Sequence, residues 1–117
     1  MNRIEPSATI RPTIEAKGFL SYLKDRGIFN RMIDAYLFAA AYGIKNDLDV
    51  RPLAASSRQD LVVIGIVDDD VRLAMEAGLQ IIRKRNGDFD DVDGKVALEL
   101  LCQYAEAGLM VLRNRWK

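Results

Sequence analysis

Between residues 28 and 44 apolar side chains recur at every third or fourth position: Ile28, Phe29, Met32, Ile33, Tyr36, Leu37, Ala40 and Ile44. At about 100° per residue, this spacing lays one broad stripe along a helix, whereas a strand would scatter the same residues over both of its faces. The pattern therefore predicts a helix over 28–46, with Gly43 loosening its last turn. A stripe of that width must be covered, and the rest of the chain supplies helical cover. Residues 14–26 put Phe19, Leu20 and Leu23 on one side before Gly27 stops the pattern. Residues 71–85 offer Val71, Ala74, Met75, Gly78, Ile81 and Ile82 as an inner stripe, and 95–116 offer Leu98, Leu101, Ala105, Leu109, Leu112 and Trp116. The expected fold is mainly α, a compact single-domain bundle of four or five helices.

Residues 60–67, "DLVVIGIV", stay open between strand and helix. Their β-branched density favours a buried strand, whereas Ser57 with Asp60 could cap a short helix. A strand here needs a partner, and the sequence offers no second good strand. The first twelve residues, "MNRIEPSATIRP", carry two prolines and no long apolar run. They are expected to form a flexible segment ahead of one helical domain over 13–117.

Composition bounds the chemistry. The chain has 117 residues, half of them apolar, and a formal net charge of zero. That excludes a strongly basic nucleic-acid coat, although a local basic patch survives. There is no histidine, so Ser-His and Cys-His nucleophilic pairs and the usual Cys/His zinc sites cannot be built. No phosphate-cradling glycine loop is present. No apolar run reaches membrane-spanning length or resembles a secretory signal. With one cysteine, these features predict a cytoplasmic chain with no membrane contact and no cofactor. Cys102, with no cation among its sequence neighbours, reads as a small core hydrophobe.

Acidic residues collect in "DFDDVDGKVALE". Asp88, Asp90 and Glu99 fall at positions one, three and twelve of a calcium loop, but Val92 and Asp93 replace the oxygen ligand and glycine such a loop requires. Asp93-Gly94-Lys95 echoes the acid–lysine pairing of metal nucleases, yet it opens a helix rather than lying on a strand. The plain reading is that acids before a helix N-terminus stabilise it, with no metal bound. A metal-dependent nuclease-like subunit using Asp88, Asp90, Asp91, Asp93 and Glu99 remains the alternative.

One phrase is written twice, "EAGLQIIRKR" at 76–85 and "EAGLMVLRNR" at 106–115. A glycine inside a helix costs about 1 kcal/mol relative to alanine and usually answers a packing need. Gly78 and Gly108 are thus expected where the two helices cross, or beneath an aromatic such as Tyr36 or Trp116. The basic ends, Arg83, Lys84 and Arg85, and Arg113, Arg115 and Lys117, have two readings. They offset the negative ends of the helix dipoles, or, brought together by the crossing, they grip a nucleic-acid backbone.

Three stretches then resemble a family: "IFNRMIDAYLFAAAYGIKN" (28–46), "VRPLAASS" (50–57) and "ELLCQYAEAGLMVL" (99–112). They are similar to the small accessory proteins found with bacterial DNA phosphorothioation (Dnd) systems. The matching positions are Ile28, Phe29, Phe38 to Lys45, Pro52, Leu53, Tyr104, Ala105, Gly108, Leu109 and Leu112. Glu106-Ala107 departs from an Asn-Gly pair. The family has no assigned catalytic residue, so the resemblance implies a setting in DNA modification and defence and no mechanism. The expected role is a non-catalytic accessory or regulatory component of such a system. Its partners would be the system's other proteins, with weak DNA-backbone contact and homo-oligomerisation both left open. A small structural dimer without a nucleic-acid role is the third reading.

Overall fold

The computed structural model describes residues 4–88 and 93–116, apart from the side chain of Trp116. Four helices carry the described fold: α1 (Ile14–Asp25), α2 (Met32–Lys45), α3 (Asp69–Arg85) and α4 (Gly94–Trp116). Two short strands, β1 (Thr9–Ile10) and β2 (Val62–Val63), pair antiparallel beside them, with Thr9 opposite Val63 and Ile10 opposite Val62. This is the mainly α single domain that the periodicity predicts. No described helix is long and apolar enough to cross a membrane.

Helix α2 is the hub. Its Ile33, Ala35, Tyr36, Leu37, Ala39, Ala40 and Gly43 are all buried, so it is enclosed on most of its circumference. It begins at Met32 rather than at residue 28. The delay follows from how α1 ends. Gly27 sits at φ +75°, its N–H donates to the Lys24 carbonyl at 2.9 Å, and the Ile28 N–H donates to the Leu23 carbonyl at 3.0 Å. That paired closure needs a left-handed residue, which glycine adopts without a Cβ clash, and it leaves the chain pointing out of the helix. Residues 28–31 then turn the chain back, with Ile28 exposed.

Helix α4 packs along α2 more extensively than any other pair of elements. Ala97, Leu101, Cys102, Tyr104, Ala105, Leu109 and Leu112 are buried along it. Its start is capped by Asp93, whose carboxylate accepts the Val96 N–H at 2.9 Å.

Residues 60–67 divide between the two readings. Val62–Val63 form β2, and Ile64–Ile66 wind into a single 3-10 turn with Ile64 buried. The strand's partner comes from the N-terminal segment. Residues 4–12, set apart as flexible in the sequence reading, contribute Ile4, Ile10 and Pro12 to the buried set. Ladder bonds run on past β1, from Leu61 N–H to the Ile10 carbonyl and from Ile64 N–H to the Ala8 carbonyl, both 2.9 Å. A two-residue strand carries almost no periodic signal, so the sequence offered the strand reading of 60–67 without its partner β1.

Helix α3 turns a different face inward from the expected one. Its buried residues are Arg72, Glu76, Leu79 and Ile82. Val71, Ala74 and Ile81 from the expected inner stripe lie exposed. Apolar residues are spread around this helix, so a long-range contact selects the face. Glu76, 3 % exposed, accepts the Ile4 N–H at 2.9 Å and holds the N-terminal segment against α3. Arg72 folds back onto Asp69 one turn earlier.

Candidate interaction site

The contact between α2 and α4 fixes the geometry around which the site is built. A Cβ placed on Gly108 would lie 2.1 Å from the Ala39 carbonyl oxygen, and one on Gly43 would lie 2.6 Å from the Tyr104 carbonyl oxygen. Both obstacles are backbone, so neither can swing aside. The two helices therefore approach through reciprocal glycines. Gly108 and Tyr104 of the resemblance motif lie at this seam, and Leu109 is buried one position on. The expected crossing of Gly78 with Gly108 is not formed. A Cβ on Gly78 would meet only Ile44 Cγ2, at an ordinary 3.4 Å. The repeated phrase thus serves two unlike environments.

Next to the seam, Glu106 joins three elements. Its Oε1 accepts the Thr13 hydroxyl at 2.8 Å, and its Oε2 accepts the Thr13 N–H at 3.1 Å and the Tyr36 hydroxyl at 3.0 Å. Thr13 is the N-cap of α1, and its Oγ1 also accepts the Ala16 N–H at 3.0 Å. One carboxylate therefore anchors the start of α1 and the middle of α2 to α4. Tyr36 is 1 % exposed. Burial pushes its phenol well above the ordinary range, and the nearby Cys102 thiol and Glu106 carboxylate push in the same direction. Sequence reasoning gave Glu106 no role. The available signal was an acid inside an otherwise apolar phrase, "YAEAGL", one turn from buried positions.

Arg58 is a second residue the sequence left unassigned. Its side chain is 11 % exposed, bonds Glu99 Oε2 at 2.6 Å and donates to the Arg11 carbonyl at 2.7 Å. It also draws the Cys102 thiol downward, a cation supplied by the tertiary fold where the sequence showed none. Burial dominates, and the thiol ends above its usual value.

Over this network lies a groove of about 960 Å³ between α1, α4 and the 48–57 connection. Ile14, Phe19, Leu53, Met110 and Val111 supply its apolar lining, with Asp49, Arg51, Glu15 and Arg113 among its charged residues. Met110 is 76 % exposed and Ile14 52 %. The groove is thus an apolar trough with charged edges.

The basic helix ends occupy separate settings. Arg83 bonds Asp88 Oδ2 at 2.7 Å in the turn after α3. Arg113 bonds Glu15 Oε1 at 2.8 Å, and its guanidinium lies over the Phe19 ring at 5.6 Å from the centroid. Lys84, Arg85 and Arg115 are exposed. Lys117 lies outside the described residues.

The carboxylates of the metal reading are likewise dispersed. Asp88 bonds Arg83, Asp93 caps α4 and Glu99 bonds Arg58. Asp90 and Asp91 lie outside the described residues. Among the described residues, no three His, Cys, Asp or Glu side chains come together in a way that could hold a metal ion.

Comparison with family models, with curated proteins and with solved structures gives no match.

Proposed function

We propose that this chain is a non-catalytic accessory component of a bacterial DNA-modification or defence system, and that it acts by binding a segment of a partner protein in the α1–α4 groove. The observation that carries the reading is the groove's apolar lining, with Met110 and Ile14 left mostly uncovered. Methionine at such a surface adapts to different side chains, and the charged edges orient what binds. The setting comes from the resemblance to the Dnd-associated accessory proteins. Two of its stretches border the groove: Pro52 and Leu53 from one side, and Leu109 to Val111 with Glu106 from the other.

The test is affinity purification of the tagged chain from its native host, comparing the parent with Met110→Arg and Ile14→Glu. Both positions are exposed, so the variants should keep their helical circular dichroism. The reading expects one component of a DNA-modification system to copurify with the parent and to be lost from both variants. Equal recovery with all three proteins, or recovery of nothing connected with DNA modification, would sink it.

A further inference from the structure

Nothing in the fold requires Gly18. It sits inside α1, where a glycine destabilises the helix relative to alanine and usually answers a packing need. Gly43 and Gly108 have such a need, but a Cβ on Gly18 would meet nothing within 4 Å. What the glycine leaves is a hollow. About 450 Å³ of space opens beside it, walled by Phe19, Tyr22, Arg113 and Glu15. Tyr22 is 36 % exposed. Its ring lies nearly parallel to that of Phe19, with centroids 5.9 Å apart and planes 15° apart. A guanidinium lies over each ring, Arg26 at 5.7 Å from the Tyr22 centroid and Arg113 at 5.6 Å from that of Phe19.

The surroundings are cationic. Helices α1 and α4 run side by side in the same direction, with Thr13 against Glu106 and Phe19 against Arg113. Their last turns therefore share one end of the molecule, where Lys24, Arg26 and Arg115 are exposed. No carboxylate among the described residues forms an ion pair with any of the three. The acids nearby are Glu15, which Arg113 already bonds, and Asp25.

We infer that this hollow binds single-stranded nucleic acid, with one base laid over Gly18 against Tyr22 and the flanking phosphates drawn to Lys24, Arg26 and Arg115. Every base has a flat π-face, so tyrosine and guanidinium planes stack on it without regard to sequence. An aromatic side chain of a partner protein would fill the same space but leave the three cations unmatched, whereas a phosphate backbone matches them. The site shares Glu15, Phe19 and Arg113 with the α1–α4 groove. It needs neither Ile14 nor Met110, the residues on which the partner reading stands.

The test is fluorescence anisotropy with a labelled single-stranded thymidine oligonucleotide of about twelve nucleotides at about 50 mM salt. The proteins are the parent, Gly18→Leu, Tyr22→Leu and Tyr22→Phe, each checked by thermal melting. Gly18→Leu fills the hollow and meets no obstacle, so it should melt no lower than the parent while binding the strand about tenfold more weakly. Tyr22→Leu should lose a similar factor. Tyr22→Phe keeps the ring and should bind as the parent does. A parent that does not bind the strand overturns the inference, as does binding indifferent to Gly18→Leu. It also fails if Gly18→Leu abolishes capture of a copurifying protein and leaves the oligonucleotide bound, because the hollow then takes a protein side chain.

Discussion

Gly108 and the Ala39 carbonyl oxygen approach so closely that a Cβ on the glycine would lie 2.1 Å from that oxygen. The contact sits where α4 crosses α2, the most extensive helix pairing in the fold, and it sets how near the two backbones come. The burial of Tyr104 and Leu109 and the reach of Glu106 toward Tyr36 depend on that approach, which needs the absence of a side chain at Gly108 and, reciprocally, at Gly43.

Gly108→Ala is accordingly expected to destabilise the protein by about 3 kcal/mol or more, since overpacking against backbone cannot be relieved by rotamer changes. Gly78→Ala should do the reverse. Its added methyl meets one Ile44 carbon at ordinary distance, and removing a helix-interior glycine gains up to about 1 kcal/mol. Urea denaturation of both variants in dilute solution checks the pair. Equal destabilisation would mean that the two glycines share one crossing after all.

Glu106→Ala is expected to cost about 2 kcal/mol, because it strands the Thr13 N–H and removes the charge-assisted bonds from the Thr13 and Tyr36 hydroxyls, leaving Tyr36 only its longer bond to the Cys102 carbonyl. A double-mutant cycle with Tyr36→Phe supplies the check. The two losses should fall short of additive, and strict additivity would show that the carboxylate and phenol do not interact.

Alkaline pH should weaken the fold through its tyrosines. Burial raises Tyr36 and, chiefly by the same cause, Tyr104. In the unfolded chain a phenol ionises near pH 10, while these two keep their protons in the native state. The unfolded state then binds fewer protons than the native one, so their contribution is intact below about pH 10 and declines as pH rises beyond it. Absorbance at tyrosinate wavelengths during a slow alkaline titration should show Tyr36 ionising only together with loss of helical circular dichroism. Ionisation of every tyrosine in a fully folded protein would contradict this.

Cys102 should resist thiol reagents in the native protein. It is 1 % exposed, and burial holds its thiol above the usual value despite the pull of Arg58. Labelling with a chromogenic disulfide at mildly alkaline pH is expected to track global unfolding with added urea. Rapid labelling without denaturant would place the thiol outside the core.

Any retention of duplex DNA should be confined to low salt and depend on Lys84, Arg85 and Arg115, the exposed members of the basic ends. Replacing these three with glutamine should abolish a gel shift at about 50 mM salt while leaving the melting temperature nearly unchanged. Arg113→Gln belongs to a different class, since it removes the Glu15 pair and the contact with Phe19. It should cost stability on the order of 0.5–1 kcal/mol. A parent protein that never retards DNA would leave the arginines as helix ends only.

The sequence by itself determined the helices and much of their burial. The run from Met32 to Ile44 is apolar on so many sides that only a central helix could hold it, and the stripe through Leu101, Ala105, Leu109 and Leu112 admits one inward face. Those are local properties, because periodicity depends on neighbours three and four residues away. Tertiary structure decided the rest. In α3 apolar side chains lie on several sides, so the inward face was settled by the bond from the distant Ile4 N–H to Glu76 and by packing against α2 and α4. Gly108 announced a close approach in the sequence, but its partner Ala39 could be known only once α2 and α4 had docked. The pairing of Thr9–Ile10 with Val62–Val63 and the convergence of Thr13 and Tyr36 on Glu106 join residues more than fifty positions apart. Such contacts form because the folded chain must satisfy buried donors and acceptors wherever they meet, and no spacing along the sequence records where that will be.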